Sequence, residues 1–155
     1  MTAKDAPDVV IHPPFALALA IVVSFGLNWL YPLPFVPSSL PRIGIGMVLV
    51  AAGILLVAWS GRSFRKARTK ILTSQPATAI VSTGPYRFSR NPIYIAMFLM
   101  LTGLAIGFDT LWFLAAAIVL YVVVRFGVIA REEAYLERKF GAVYLDYKAR
   151  VRRWL

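Results

Sequence analysis

Four long apolar runs constrain the fold of this chain more than any other feature. They cover about residues 14–31, 43–59, 92–108 and 110–130, and they carry almost no charge. Each approaches the roughly 20 residues that a helix needs to cross the hydrocarbon core of a bilayer. Backbone groups in lipid must be hydrogen-bonded within the protein, so helices are the expected form. Since 59% of the 155 residues are hydrophobic, we predict an all-α integral membrane protein with four transmembrane helices.

The cationic residues are grouped in two segments between or after these runs. Of 17 Lys and Arg, seven lie within residues 62–90 and eight within residues 125–153, and the formal net charge is +10. Cytoplasmic loops carry an excess of Lys and Arg, so we expect both segments, both termini and any site formed there to be cytoplasmic. In a soluble protein, the same charge would indicate nucleic acid as a partner. Membrane topology explains it here, and nucleic acid is not an expected partner.

Residue types and patterns that the sequence lacks exclude several kinds of site. The chain has no cysteine, which excludes a disulfide framework, a thiolate nucleophile and a Cys-ligated metal. No metal-binding pattern occurs elsewhere in the sequence. The first 14 residues lack the pattern of a cleaved signal peptide.

Two polar segments and one turn complete the outline. Residues 60–91 are predicted as a basic cytoplasmic loop, and the turn at residues 107–110 offers Asp109 as an N-cap for the fourth helix. After residue 130 the sequence becomes polar but keeps a helical period, which predicts a C-terminal amphipathic helix, broken or bent at Gly141. The stripe of this helix is Glu133, Leu136, Phe140, Val143, Tyr147 and Val151.

The stretch GPYRFSRNPIY, residues 84–94, precedes the third apolar run. Gly84-Pro85 indicates a turn, and Asn91-Pro92 indicates an N-cap followed by proline at the first helical position. Two interpretations remain open. The arginines either extend to the membrane interface, or they bind a ligand with a carboxylate and an aromatic ring beside a helix N-terminus, which favours anions. The residues available for such a ligand are Tyr86, Arg87, Arg90 and Tyr94.

A second candidate cluster follows the fourth run. Glu132 and Glu133 form either helix-surface ion pairs, worth between zero and about 1 kcal/mol, or an inward-facing group that holds a ligand ammonium. Helical periodicity does not decide between these. Arg125 lies inside the run, where an arginine either extends to the interface or faces a cavity. Seven residues are about two turns, so Arg125 is expected on the same helix face as Glu132.

Two separated motifs resemble one known family. The segments AIVSTGPYRFSRNPIY and EEAYLERKFGAVYLDYKARVRR, with a hairpin of apolar runs between them, are similar to those of the isoprenylcysteine carboxyl methyltransferases and the related bacterial and phospholipid methyltransferases. The resemblance covers about residues 62–153. It implies an integral membrane enzyme that uses S-adenosyl-L-methionine. It also implies one domain, 1–155, in which residues 1–60 form two spans and residues 61–155 form the catalytic region that binds the cofactor.

The resemblance also implies roles for individual residues. Asn91 replaces the family's histidine, and an asparagine caps a helix and donates a hydrogen bond but does not transfer protons near neutral pH. The catalytic candidates are Glu132 and Arg125, the latter because the family's substrate-contacting arginine falls near Val128. The implied cofactor-binding residues are Ala79, Ile80, Val81, Tyr86, Arg87, Arg90, Asn91, Pro92, Ile93, Tyr94, Glu132 and Glu133.

The expected function is therefore methylation of an amphiphilic or lipidated acceptor that reaches the site from the lipid bilayer. Two alternatives stay open, namely an enzyme like the phospholipid N-methyltransferases and a small, non-catalytic membrane binding protein. The identity of the acceptor and the oligomeric state are not determined by the sequence.

Overall fold

The computed structural model describes residues 9–69 and 76–155. Residues 1–8 and 70–75, which include part of the predicted basic loop, lie outside the description. The described residues contain no β-strand, and the all-α prediction is confirmed. The helices are α1 (Pro13–Leu30), α2 (Arg42–Lys66), α3 (Pro92–Gly107), α4 (Trp112–Val124), α5 (Ala130–Phe140) and α6 (Ala142–Arg150), with a 3₁₀ turn at Gly84–Arg87 and a π-helical turn at Arg125–Ile129.

Within residues 9–69 and 76–155, three helical stretches are long and apolar enough to cross a membrane. They are α1, α2 and the continuous run Trp112–Phe140. Helix α3 has 16 residues, so it is about 24 Å long at 1.5 Å per residue, less than the roughly 30 Å hydrocarbon core. These three stretches support an integral membrane protein. That α3 also crosses the membrane stays a prediction.

Helix α3 lies in the middle of the bundle. It packs against α2 on one side and α4 on the other, and α1 packs against α4. The side chains of Leu101 and Phe113 are completely buried between these helices. Outward-facing side chains are apolar as well, for example Val48 and Ile118, which is the pattern expected where lipid rather than water surrounds the helices.

Glycines allow α2 and α3 to approach closely. A Cβ atom added at Gly46 would lie 2.6 Å from the carbonyl oxygen of Gly103, and one added at Gly103 would lie 2.7 Å from the carbonyl oxygen of Gly46. Both contacts are with backbone, so no side chain could move aside to relieve them. Nothing lies within 4 Å of the corresponding position at Gly44. Gly46, and not Gly44, therefore makes the close contact of the α2 N-terminal end with α3.

Asp109 does not cap α4, and that prediction was wrong. The helix begins at Trp112, and Asp109 adopts a left-handed φ of +52° that directs its side chain across the bundle end. Its Oδ1 accepts hydrogen bonds from the amides of Phe35 and Val36 at 2.8 and 2.7 Å, and its Oδ2 pairs with Arg42 at 2.7 Å. The bonds from the Val36 and Phe35 amides, with a smaller contribution from Arg42, hold the pKa of the carboxyl group below its usual value.

The polar end of the chain forms two helices. Gly141 separates α5 from α6 with φ +53°, at the residue where the sequence predicted a break. Beyond it, Tyr144 and Tyr147 are the buried side chains, whereas Val143 is 66% exposed. The stripe extrapolated from α5 was wrong at Val143 because a left-handed residue reorients the next helix and restarts its periodicity.

Candidate functional site

One cavity of about 440 Å³ lies where α2 ends and α3 begins. It collects side chains from the loop before α3, from α3 itself and from α5. Ten of the twelve predicted cofactor-binding residues line it, and they are Ala79, Ile80, Val81, Tyr86, Arg90, Asn91, Ile93, Tyr94, Glu132 and Glu133. The two motifs, distant in sequence, therefore share one cavity.

The 3₁₀ turn is fixed between α2 and α6. Gly84 has a φ of +62°, and a Cβ there would collide with the side chain of Ser63 on α2, so this position requires glycine. The ring of Tyr86 packs edge-on against Phe64 of α2 at 5.3 Å, and Tyr147 of α6 donates a hydrogen bond to the carbonyl of Tyr86 at 2.8 Å. Burial raises the pKa of both tyrosines above the usual value, so both hydroxyls remain protonated at neutral pH.

The two glutamates of the acidic pair have different partners. The hydroxyl of Tyr94 donates to Glu132 Oε2 at 3.0 Å. Glu133 accepts two hydrogen bonds from Arg153, from Nε at 3.0 Å and from Nη2 at 2.6 Å. Arg90 Nη1 also lies 3.0 Å from Glu133 Oε1. Glu133 is buried at 8% exposure between two guanidinium groups, which neutralise it.

The guanidinium of Arg90 is buried beside the carboxylate of Glu133. The Arg90 side chain is 9% exposed, and its Nε and Nη1 donate hydrogen bonds to no atom of the residues that the structure describes. Buried donors without a partner are rare in folded proteins. Arg90 as a residue lines the cavity, so its positive charge lies beside any group placed there, while Nη1 itself is directed at Glu133.

Asn91 occupies the N-cap position of α3, as predicted, but its side chain does not cap the helix. Its Nδ2 donates instead to the carbonyl oxygen of Arg153 at 2.9 Å. Its backbone amide donates to Ser89 Oγ at 3.1 Å. Asn91 therefore joins the loop to residue 153, far along the chain, while its side chain lines the cavity.

Three predicted site residues lie elsewhere. Arg87 is exposed, with its guanidinium 5.1 Å from the centre of the Phe88 ring. Pro92 is buried in the first turn of α3 and does not line the cavity. Arg125 is stacked 5.2 Å from the Phe126 ring and does not line it either.

The position of Arg125 has a clear cause. The expectation that it shares a face with Glu132 assumed a regular α-helix between them. The π-helical turn Arg125–Ile129 takes up an extra residue, which rotates Arg125 by about 100° relative to that face. Arg125 therefore does not line the cavity, and its predicted catalytic role gains no support from the structure.

The cavity also contains residues that sequence reasoning missed. His12, directly before α1, and Phe15 of α1 line it, and the apolar part of the wall includes Met97, Ile129 and Leu136. The start of α1 reaches the cavity because the Val10 amide donates to the carbonyl of Gly127, in the π-helical turn, at 3.2 Å. No local signal in the sequence predicts a contact between segments so far apart.

The comparisons with known proteins agree with the motifs. The model of the phospholipid methyltransferase family matches residues 41–143, which is more than half of the chain and covers the loop, α3 and the acidic pair. The chain belongs to the phospholipid methyltransferase family. This family of integral membrane methyltransferases is related to the isoprenylcysteine carboxyl methyltransferases, so the predicted family relationship is confirmed.

A second comparison finds a bacterial relative without a described activity. An uncharacterized protein of Haemophilus influenzae is 42% identical over 65 residues, which are 41% of this chain and the whole of that protein. No solved structure matches the chain.

Proposed function

We propose that this chain is a methyltransferase that uses S-adenosyl-L-methionine to methylate an amphiphilic acceptor drawn from the bilayer. One observation carries the proposal. Tyr86, Arg90 and Tyr94 of the first motif line the same cavity as Glu132 of the second. Membership of a membrane methyltransferase family gives the reaction class, and the shared cavity supports the site.

The residues present fit the cofactor. The cavity of about 440 Å³ falls within the range of roughly 300–1,000 Å³ typical of small-molecule sites. Arg90, a cation that lines the cavity, binds the carboxylate, and Glu132, which also lines it, binds the ammonium. The rings of Tyr86 and Tyr94 bind the adenine or the sulfonium, the latter by a cation–π contact worth about 0.5–2 kcal/mol. When bound, S-adenosyl-L-methionine supplies a methyl group activated by its positively charged sulfur.

The apolar part of the wall suits the acceptor. Phe15, Met97, Ile129 and Leu136 contact its hydrocarbon portion, while its polar head approaches the tyrosines and Glu132. The protein mainly aligns the acceptor atom with the methyl group and excludes water. We further propose that α3 is a short fourth span and that the cavity opens at the cytoplasmic face, as the distribution of Lys and Arg indicates.

Two acceptor classes are compatible with this site. The motifs resemble those of enzymes that esterify the carboxylate of a prenylated cysteine, whereas the matched family is described by phospholipid methylation, which favours a lipid amine. The products differ chemically, because a methyl ester releases methanol in alkali and an N-methyl group does not.

The test uses the purified protein in lipid nanodiscs. Binding of cofactor with a radiolabelled methyl group is measured first, and label transfer to a lipid extract or to a prenylated cysteine follows. We expect saturable binding and transfer to one acceptor class, with Glu132→Gln lowering affinity at least about tenfold through the lost charged contact. A wild-type protein that binds no cofactor would refute the proposal. Binding without any transfer would favour the non-catalytic alternative.

A further inference from the structure

A second cavity, of about 530 Å³, lies between the last turns of α2 and residues 80–84 of the loop before α3. Ile80 and Val81 line both this cavity and the first one, and no other lining residue is shared. The two cavities therefore adjoin at this segment. The second cavity lies outside the site that the proposed function assigns to the cofactor and the acceptor.

Two cations and no acid line the second cavity. Arg62 and Lys66 are one helical turn apart on α2, and both are exposed. Neither side chain has a hydrogen bond or an ion pair with the residues that the structure describes. Ser82 and Thr83, which carry hydroxyl groups, line the cavity from the loop. This combination of unpaired positive charge and hydroxyl groups suits an anion such as phosphate.

The same face of α2 continues into the apolar part of the helix. Leu55, Trp59, Arg62 and Lys66 follow one another at spacings of four, three and four residues, so their side chains lie on one face. Leu55 is 69% exposed and Trp59 is 45% exposed, as expected for side chains that contact lipid and the membrane interface. Apolar, aromatic and cationic side chains thus follow in the order of the acyl chain, the ester region and the phosphate of a phospholipid.

Trp59 connects this helix face to the second cavity, which it lines. Its Nε1 lies beside Gly84, 3.1 Å from the position that a Cβ atom would take there. Its indole N–H donates to no atom within the described ranges. A tryptophan at a membrane interface commonly has one apolar part and one hydrogen-bonding group, so this donor is available to the polar region of a lipid.

We propose that the second cavity binds the phosphate of an anionic phospholipid whose acyl chain lies along Leu55 and Trp59. Lys and Arg clustered directly beyond a membrane helix attract anionic lipids, and arginine makes paired hydrogen bonds with phosphate. The C-terminal end of a helix disfavours anions, so the attraction has to come from Arg62 and Lys66. The inference is independent of the proposed function.

Arg65 provides a control of equal charge. It is exposed in the last turn of α2, between the two cations in sequence, but does not line the second cavity. Arg65→Gln and Arg62→Gln therefore change the net charge equally, and only Arg62→Gln alters the proposed site.

Thermal unfolding in a neutral detergent tests the site, because a ligand of the folded state raises the unfolding temperature. The probes are dioleoyl phosphatidylglycerol, which is anionic, dioleoyl phosphatidylcholine, which is zwitterionic, and inorganic phosphate. We expect a saturable rise with the anionic lipid and a much smaller one with the other two. Arg62→Gln and Lys66→Gln should each need about fivefold more anionic lipid for half of the rise. Arg65→Gln should respond like the wild type.

Equal losses in Arg62→Gln and Arg65→Gln would overturn the inference, because they would show attraction by the overall charge alone. An equal rise with phosphatidylcholine or with inorganic phosphate would overturn the assignment to an anionic lipid. Should Arg62→Gln fail to fold, Lys66→Gln carries the same prediction.

A second readout locates the lipid beside Trp59. Bromine atoms on an acyl chain quench the fluorescence of tryptophans that they contact, and Trp59→Phe identifies the share of Trp59 among the four tryptophans. Brominated phosphatidylglycerol should quench this share more than brominated phosphatidylcholine does at equal concentration. The excess should disappear in Arg62→Gln and remain in Arg65→Gln. An excess that persists in Arg62→Gln would contradict the proposed site.

Discussion

Arg87 and Arg90 are three residues apart in one loop but have opposite environments. The Arg90 side chain is 9% exposed, pairs with Glu133 and belongs to a residue that lines the cavity, while Arg87 is exposed and stacked on Phe88. The sequence offered both as ligands for the same carboxylate. Which one faces inward is set by the 3₁₀ turn Gly84–Arg87, which no propensity argument resolves at single-residue accuracy.

Replacing each arginine by methionine tests this contrast. Arg90→Met should weaken S-adenosyl-L-methionine binding roughly 10- to 100-fold, as expected for a lost hydrogen bond between charged groups, worth about 1.5–3 kcal/mol. Arg87→Met should change it less than about twofold, because an exposed cation contributes little. Equilibrium binding of labelled cofactor measures both. An equal loss in the two variants would contradict the assignment.

Asp109 predicts a response to acid. Its folded-state pKa is lowered by the amides of Val36 and Phe35 and by Arg42, so its contribution to stability is complete above the unfolded pKa, about 3.9. The contribution is lost as pH falls through the lower folded value. The wild-type unfolding temperature should therefore drop below about pH 4.

Asp109→Asn is the matched variant because asparagine tolerates the left-handed backbone that this position adopts. It should unfold at a lower temperature than the wild type at pH 7, and the difference should shrink as the pH is lowered to 3. Thermal unfolding in detergent from pH 3 to 7 measures this. A constant difference across the range would show that the charge of Asp109 does not contribute.

At the scale of elements, the α2–α3 contact depends on particular glycines. Gly46→Ala would place a methyl group 2.6 Å from the carbonyl oxygen of Gly103 and 2.8 Å from Gly107 Cα. The helices must then separate, which should destabilise the protein by about 1–3 kcal/mol. A fall of several degrees in unfolding temperature is expected.

Gly44→Ala is the control, since nothing lies within 4 Å of that position. It should be neutral or slightly stabilising, because alanine favours helix more than glycine does. Unfolding temperatures of the two variants in one detergent give the comparison. Similar losses in both would argue against a close α2–α3 contact.

The sequence predicted the positions of the four apolar helices to within a few residues, except for the end of α2. That helix continues to Lys66, beyond the apolar run that ends at Trp59, because its cationic last turn is favourable at a helix C-terminus. The π-helical turn was not predicted. It depends on a single extra residue in an apolar segment whose composition does not change, and its consequence was the misplacement of Arg125.

For the whole molecule, the orientation in the membrane is open to a direct test. The chain contains no cysteine, so a single introduced cysteine is the only target for a maleimide. Ser38→Cys, in the connection between α1 and α2, should react with a membrane-impermeant maleimide on intact spheroplasts. Ser82→Cys, in the basic loop, should react only after permeabilisation. The opposite pattern would place the cavity on the other side of the membrane.

The long-range contacts mark the limit of what the sequence reveals. The motifs predicted that Glu132 and Tyr94 belong to one site, and the structure brings them within hydrogen-bond distance. His12 lines the same cavity, although it precedes α1 and shares no motif with the site. Likewise, Arg153 pairs with Glu133 through a bend at Gly141. Such contacts depend on helix packing and on the direction of α6, which local patterns do not encode.

Under the proposed function, Arg90 and Glu132 contact the carboxylate and the ammonium of the cofactor rather than its sulfur and methyl group. This assignment has a consequence for turnover. In that proposal both side chains would bind the amino acid portion of the cofactor, which methyl transfer leaves unchanged. The demethylated thioether keeps that portion and loses the transferred methyl group together with the positive charge on sulfur, so these two residues would hold it about as firmly as the fresh donor. Product inhibition is the consequence, and sustained activity would depend on removal of the thioether by another enzyme.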